Sequence, residues 1–257
     1  MNRLREEQKT VEKGTKIRNE IDEYKYKTEL HAHSSEVSWC GKVCAAELVR
    51  LYAARGADAV VLTNHFFYDM FKDEGREAFC ERYAAEYEKA AELGKSYGIN
   101  VLFGMEIRFT ENINDYLIYG MDTSEVKKAG ELAKKGIDVF YREFKTERNV
   151  ILQAHPFRDN MQPIRPQSVD GIEVFNMHPD QNSRVGLAAR YASENNMLIS
   201  GGTDFHIAGH EGCCMIRTKF KPKTSFDIAE VLKNGDFLFD IGENIVVPYN
   251  FIGGRQK

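Results

Sequence analysis

Residues 57–65, ADAVVLTNH, place a continuous apolar run directly before a polar segment that ends in a histidine. The arrangement recurs in residues 149–155, NVILQAH, and residues 100–107, NVLFGMEI, form a similar apolar run that carries a glutamate. Continuous rather than alternating apolar runs are typical of strands that are buried on both faces of a parallel sheet. These three segments therefore predict central strands of an α/β protein.

Outward from these segments, seven apolar runs alternate with amphipathic stretches that have helical periodicity. The predicted strands are Lys27–His31, Ala57–Thr63, Asn100–Ile107, Asp115–Met121, Asn149–Ala154, Gly171–Asn176 and Met197–Gly202. The predicted helices are Val43–Ala54, Glu74–Tyr97, Ser124–Glu147 and Ser183–Asn195, with one more from Ser225 and a strand-like tail at 244–248.

This alternation predicts an α/β fold of one domain, a distorted (β/α)7 TIM-like barrel. An open doubly wound sheet is the alternative architecture, although no GxGxxG or Walker loop follows the first predicted strand. We place the barrel domain at residues 25–257. Residues 1–24 stand apart as a charged extension with few large aliphatic side chains.

Composition excludes several classes of protein. The 257 residues carry a formal net charge of -4, which gives no basis for binding long nucleic acid through charge alone. No run approaches the ~20 apolar residues of a membrane span, and the charged N-terminal stretch lacks the apolar core of a signal peptide. The five cysteines form no repeated CxxC pair, so we expect free thiols and a cytoplasmic protein.

Seven residues with metal-ligating side chains lie at or near the ends of the predicted strands. They are His31, His33, His65, Glu106, His155, Asp204 and His206. In two cases the ligands are two residues apart, a spacing that directs both side chains to one side of an extended chain. In a parallel barrel the carboxyl ends of the strands share one face, where barrel enzymes carry their active sites. Imidazole and carboxylate ligands together suit zinc, manganese or iron.

In this order the segments HAH, TNH, GMEI, AHPF and GGTDFH resemble the successive motifs of the PHP family, named after polymerase and histidinol phosphatase. The resemblance extends from about Glu29 to His206, roughly two-thirds of the chain. It implies a distorted barrel, a centre of two or three divalent ions and hydrolysis of phosphate esters. It also implies that one ion is held by His31, His33, Glu106 and Asp204, a second by Glu106 and His155, and a third by His65 and His206.

The sequence departs from the family pattern in three places. A ligand usually follows the HxH motif by six to eight residues, and Glu36 is the substitute that we predict. The fourth strand often supplies a histidine, for which Asp115 is the nearest candidate here. TNH replaces TDH, so Asn64 can donate a hydrogen bond but cannot supply a charge.

Three further side chains are candidates for catalysis. Arg158 follows the HPF motif, and its guanidinium could clamp a phosphate. Arg108 has the same strand parity as Glu106. His178 follows the sixth strand and could protonate a leaving oxygen. With these residues, the predicted substrate is a small phosphorylated molecule, a phosphomonoester or a nucleotide-like compound.

Two alternatives stay open at this stage. The first is a metal-dependent amidohydrolase built on a barrel, which also begins with HxH, although DYLIYGM lacks the lysine expected on the fourth strand. The second is a metal-binding regulatory module without turnover. His65 and Glu106 on the second and third strands, and a final DxH rather than a lone Asp, also favour a phosphoesterase over the amidohydrolase. Retained metal without hydrolysis of any phosphoester would favour the regulatory module.

Overall fold

The computed structural model describes residues 20–248. Its strands are β1 (Tyr26–Ala32), β2 (Ala59–Leu62), β3 (His65–Phe67), β4 (Asn100–Phe103), β5 (Met105–Arg108), β6 (Asp115–Tyr119), β7 (Val150–Gln153), β8 (Gly171–Asn176), β9 (Leu198–Gly202), β10 (Cys214–Thr218), β11 (Leu238–Ile241) and β12 (Asn244–Val246). Its α-helices are α1 (Ala45–Ala54), α2 (Arg76–Tyr97), α3 (Val126–Leu132), α4 (Ile137–Phe144), α5 (Val185–Glu194) and α6 (Ser225–Asn234). Most of the extension predicted at residues 1–24 lies outside the described residues.

The strands form two six-stranded sheets, in the orders β12-β11-β10-β1-β2-β4 and β3-β5-β6-β7-β8-β9. Each of the seven predicted strand segments contains a strand, so the mixed α/β class is confirmed. The predicted TIM-like barrel is not, because the described residues form two sheets and no closed barrel. Several pairings are also antiparallel, including β5 with β6 and β6 with β7.

The antiparallel direction of β6 has a simple cause. Only six residues, 109–114, separate β5 from β6, whereas a parallel connection needs a dozen or more. The chain therefore turns back on itself and pairs Met105 with Ile118 and Arg108 with Asp115. This hairpin places Asp115 directly beside the strand that carries Glu106.

Two predicted segments are divided by the packing around them. The 100–107 segment is broken at Gly104, where a Cβ atom would lie 2.6 Å from Val61 Cγ1. The break passes the chain from β4 in one sheet to β5 in the other. The helix predicted at 124–147 is likewise two helices, because Gly136 has a left-handed φ of 76° and Glu111 accepts the Ile137 N–H at the start of α4.

The end of β1 and the segment after β9 connect the two sheets. Ala32 forms an isolated parallel bridge with Phe205. The His33 N–H donates to the Phe205 carbonyl, and the Phe205 N–H donates to the His31 carbonyl, each at 3.0 Å. These bonds bring the HAH motif and the TDFH motif side by side, although 169 residues separate them in the sequence.

Candidate metal centre

Seven predicted ligands converge at this junction of the sheets, and we call them the metal centre. Its members are His31, His33, His65, Glu106, His155, Asp204 and His206. They supply three groups whose ligand atoms lie within 4.8 Å of one another: His31, His33 and Asp204; His31, Glu106 and His155; and His33, His65 and His206. The groups share His31 and His33, so the centre is continuous.

The first group has the geometry of an ion site. The Nε2 atoms of His31 and His33 lie 3.4 and 3.3 Å from Asp204 Oδ1. Both Nε2 atoms are buried, and neither has a hydrogen-bond partner among the described residues. Unpaired buried polar atoms are costly unless something else satisfies them. A divalent cation between the two imidazoles and the carboxylates would do so, and this donor set suits zinc, manganese or iron.

Glu106 connects the three groups. Its Oε1 atom lies 3.3 Å from His31 Nε2 and 3.2 Å from His155 Nε2, while Oε2 lies 2.7 Å from His65 Nδ1. Burial opposes its ionisation, but His31 and His65 outweigh burial and hold the pKa of Glu106 well below its usual value. Glu106 is therefore a carboxylate whose two oxygens face different imidazoles.

Glu173 supports the centre from behind. Its Oε1 atom lies 2.9 Å from His31 Nδ1, and its Oε2 atom accepts the His155 N–H and an Asn176 side-chain N–H. A carboxylate only accepts, so His31 Nδ1 carries a proton and Nε2 is the nitrogen that faces the centre. Burial disfavours the charged ring, but Glu173, Asp204 and Glu106 together raise the pKa of His31 well above its usual value.

Two of the six non-glycine residues with positive φ in the described part of the chain are predicted ligands. His155 has φ 30° and Asp204 has φ 56°, values in the left-handed region that residues other than glycine seldom adopt. Such strain persists where surrounding contacts fix the conformation, and it is frequent at functional sites. Here the His155 N–H bond to Glu173 fixes one of the two positions.

Glu36 is not one of the centre's ligand groups in the described part of the chain. Its carboxylate oxygens accept the Ala45 N–H at 2.9 and 3.0 Å, at the first residue of α1. Cys44, which precedes the helix, gives it no side-chain cap. Glu36 therefore satisfies a free N–H at the start of the helix, and we withdraw it from the predicted ligands.

Asp115 lies at the edge of the centre. It is buried, and Oδ2 is 3.9 Å from His155 Nε2. Both of its oxygens accept hydrogen bonds from Arg108 at 2.7 Å. The guanidinium of Arg108 also stacks on the Phe67 ring, 4.1 Å from its centroid. Burial, followed by repulsion from Glu106, raises the pKa of Asp115.

The other two predicted catalytic residues contact the centre at different points. Arg158 donates to Asp204 Oδ2 at 2.7 Å and to Asn176 Oδ1 at 2.6 Å. His178 is half-buried, with its ring centroid 5.7 Å from that of His206. Burial lowers the pKa of His178, and its Nδ1 accepts the Asp180 N–H. The neutral ring therefore carries its proton on Nε2.

Cys40 is a member of this site that the sequence did not identify. Its Sγ atom lies 3.0 Å from His65 Nε2 and 3.1 Å from His206 Nε2. Although burial opposes ionisation, the bonds to the two histidines lower the pKa of the Cys40 thiol to about 6. The available indication was its position, seven residues after His33, close to where the family pattern places a ligand.

A cavity of about 540 Å³ opens beside the centre. Its lining includes Trp39, Phe67, Tyr68, Arg82, Arg108 and Phe109. The Trp39 ring lies 5.2 Å from that of His65, so the aromatic wall reaches one of the predicted ligands. A cavity of this size and lining fits a small organic molecule.

Known structures resemble the fold of this chain, although no protein-family model and no curated protein matches the sequence. A two-domain protein from Bacteroides vulgatus, described as containing a predicted PHP-like metal-dependent phosphoesterase, superimposes with a TM-score of 0.61. It shares 21% identity over 87% of this chain and 67% of its own length. This chain has a PHP-like fold.

A second structure, PsfC from Pseudomonas syringae, has the same fold. It superimposes with a TM-score of 0.58 and shares 14% identity over 80% of this chain and 88% of its own. The likeness to the Bacteroides vulgatus structure supports the PHP resemblance stated from the sequence. Among residues 20–248, no helix is long and apolar enough to cross a membrane.

Proposed function

We propose that this PHP-like protein is a metal-dependent phosphoesterase that hydrolyses a small phosphorylated molecule. The observation that carries the proposal is Glu106, one buried carboxylate whose oxygens face four imidazoles: those of His31, His33, His65 and His155. A carboxylate in that position is suited to bridge neighbouring ions. Centres of paired ions are typical of enzymes that displace phosphate esters in line.

We assign the ligands by the three groups of the centre. His31, His33 and Asp204, with Glu106, would hold one ion, and Glu106 with His155 would hold a second. His65 and His206 would contribute to a third. When bound, zinc, manganese or iron would polarise the phosphoryl group and lower the pKa of a coordinated water.

Residues around the proposed ligands would orient them and contact the substrate. Glu173 fixes the ring orientation of His31 through the 2.9 Å contact with Nδ1. Arg158, through its bond to Asp204 Oδ2, holds that carboxylate in place and would add positive charge near the negatively charged phosphoryl oxygens. His178, whose neutral ring carries its proton on Nε2, would donate a hydrogen bond to the leaving oxygen, while the proton that this oxygen takes up would come from a water.

The cavity beside the centre would bind the alcohol half of the substrate. Trp39, Phe67 and Phe109 give it an apolar wall, on which planar or apolar groups pack favourably. Arg108, held by Asp115 and stacked on Phe67, would face the phosphate side of that cavity. This arrangement supports a small ester as the substrate.

The test is reconstitution of chelated protein with Mn²⁺, Zn²⁺ or Fe²⁺, followed by elemental analysis and turnover of aryl phosphate monoesters and diesters. We expect two or three ions per chain and phosphate release with at least one metal. Asp204→Asn should lose at least one ion and most of the activity. Asp138→Asn, an exposed carboxylate paired with Arg165, is the matched control and should retain both.

Two outcomes would overturn the proposal. Bound metal with hydrolysis of amides or lactones, and none of phosphate esters, would favour an amidohydrolase. Bound metal with no turnover of either class would favour a regulatory module.

A further inference from the structure

The loop after the HAH motif carries a buried serine, Ser38, whose hydroxyl contacts two of the predicted ligands. Ser38 Oγ lies 3.2 Å from His33 Nδ1 and accepts the His65 N–H at 2.9 Å. His33 and His65 belong to one of the three ligand groups. A single hydroxyl therefore touches the ring of one ligand and the backbone of another.

The direction of the Ser38 proton is set by Asn64. The Ser34 N–H donates to Asn64 Oδ1 at 2.8 Å, and the Asn64 amide nitrogen donates to Ser34 Oγ at 3.1 Å, so the orientation of the amide is fixed. Ser38 Oγ lies 3.0 Å from the same Oδ1, which can only accept. The Ser38 hydroxyl therefore donates its one proton to Asn64, because two oxygen atoms this close without a hydrogen between them would repel each other.

This leaves Ser38 as an acceptor for His33. With the hydroxyl proton directed to Asn64, the contact with His33 Nδ1 is a hydrogen bond only if Nδ1 carries a proton. Nε2 is then the nitrogen of His33 that a cation can use. It is buried, lies 3.3 Å from Asp204 Oδ1 and has no hydrogen-bond partner among residues 20–248.

The support behind His33 differs in kind from that behind His31. His31 is held by the carboxylate of Glu173, which can only accept. A serine hydroxyl adds no buried charge, but it can rotate and donate instead. Asn64 removes that freedom, so the serine acts as an acceptor in the same way as the carboxylate.

We propose that Ser38, oriented by Asn64, is a positioning residue that directs Nε2 of His33 into the metal centre and sets the affinity of the ions that His33 binds. The proposal rests on the proposed function only in requiring that the centre bind metal. His33 belongs to two of the three ligand groups, so the effect reaches more than one ion position.

The first experiment needs neither metal nor a variant of Ser38. Nitrogen-15 NMR of chelated protein with labelled histidine shows which ring nitrogens carry a proton, and the signals of His33 are identified by their absence in His33→Gln. We expect Nδ1 of His33 to carry a proton in the wild type. An Nδ1 without a proton would overturn the proposal.

The second experiment measures Zn²⁺ affinity by competition with a chromophoric chelator. Ser38→Ala removes the acceptor behind His33 and should lower the affinity 10- to 100-fold. Ser34→Ala is the matched control, because it removes another buried hydroxyl of the same loop but keeps the Ser34 N–H that orients Asn64. Its affinity should stay within about twofold of the wild type, and an equal loss in both variants would contradict the role of Ser38.

A double-mutant cycle separates positioning from a general effect on the loop. Asn64→Ala frees the Ser38 hydroxyl to donate to Nδ1, which places the His33 proton on Nε2, and should lower Zn²⁺ affinity about tenfold or more. In the Ser38→Ala background the same substitution should have little further effect, because Asn64 acts on His33 only through Ser38. Additive losses would refute the proposed chain of bonds.

Failure of the two proposals is distinguishable. If the wild type binds no metal, the proposed function fails. If it binds metal and cleaves phosphate esters while Ser38→Ala keeps wild-type affinity, only the role of Ser38 fails.

Discussion

Glu173 gives the sharpest test of how this centre is organised, because it contacts predicted metal ligands without belonging to any of the three ligand groups. The perturbation is Glu173→Gln, which preserves the shape of a fully buried side chain. The carboxylate accepts from three donors: His31 Nδ1 at 2.9 Å, the His155 N–H at 3.1 Å and the Asn176 side chain at 2.9 Å. Glutamine has one acceptor oxygen in place of two.

Two orientations of the new amide are available. If the oxygen faces His31, the amide nitrogen opposes the donors of His155 and Asn176, and each unpaired buried donor costs about 1–3 kcal/mol. If the oxygen faces those two donors, the amide N–H faces His31 Nδ1 and forces the proton of that ring onto Nε2. The Nε2 lone pair is then no longer available to a cation.

The second orientation leaves fewer buried donors unpaired and therefore destabilises the folded protein less. We therefore expect Glu173→Gln to weaken metal binding more than it lowers the free energy of unfolding. Removal of a hydrogen-bonding partner behind a ligand histidine typically lowers metal affinity 10- to 100-fold, which corresponds to about 1.4–2.7 kcal/mol. The free energy of unfolding of the metal-free protein should change less than it would if two buried donors were unpaired, a cost of about 2–6 kcal/mol.

The assay is competition for Zn²⁺ and Mn²⁺ against a chromophoric chelator, together with urea unfolding in the presence of a strong chelator. Val174→Ala is the control, because Val174 is the next residue of β8 and is buried in the apolar core. It should lower the free energy of unfolding by about 2 kcal/mol and leave metal affinity unchanged. The reasoning is refuted if Glu173→Gln binds metal within twofold of the wild type, or if Val174→Ala weakens binding equally.

Three further predictions follow from individual contacts. Burial raises the pKa of Glu29 from 4.5 to about 7, so the folded protein holds this proton more tightly than the unfolded chain and loses stability as pH rises through this range. Between pH 4 and pH 8, the free energy of unfolding of the metal-free wild type, measured in urea, should fall by about 3 kcal/mol relative to that of Glu29→Gln. Parallel pH profiles for the two proteins would contradict this. Glu36→Ala removes the acceptor for the Ala45 N–H and should cost about 1 kcal/mol in thermal or urea unfolding, whereas a lost ion in elemental analysis would restore Glu36 as a ligand. Metal added to chelated protein at 100 times its Kd should raise the free energy of unfolding by about 2.7 kcal/mol, and His33→Ala, which loses a shared ligand, should show a smaller gain in the same titration.

The strand predictions are confirmed where the local sequence pattern is sufficient. A continuous apolar run must be buried whatever its partners are, so all seven segments contain strands. The parallel direction predicted for β6 was wrong, and the reason lies in the sequence, because the six residues 109–114 cannot make a parallel crossover. Strands β10 and β11 were missed, and they pair antiparallel beside β1 through contacts distant in sequence.

At the metal centre the sequence selected candidate ligands by residue type and by their positions after apolar runs. It selected Glu36 and passed over Cys40, which lies four residues further along the same loop. Residue type favoured the carboxylate. The fold instead directs Glu36 to the amino end of α1 and places the Cys40 sulfur between two imidazoles.

The sequence by itself therefore determined the α/β class, the order of the strands along the chain and a set of histidines and carboxylates at their ends, because these depend on burial and chemistry that are local. Only the tertiary structure decided that the strands divide into two sheets and that Glu173 and Cys40 face the ligands. Those outcomes depend on hydrogen bonds between residues far apart in the chain, such as His31 with Glu173. No local pattern encodes which of many buried polar groups will meet.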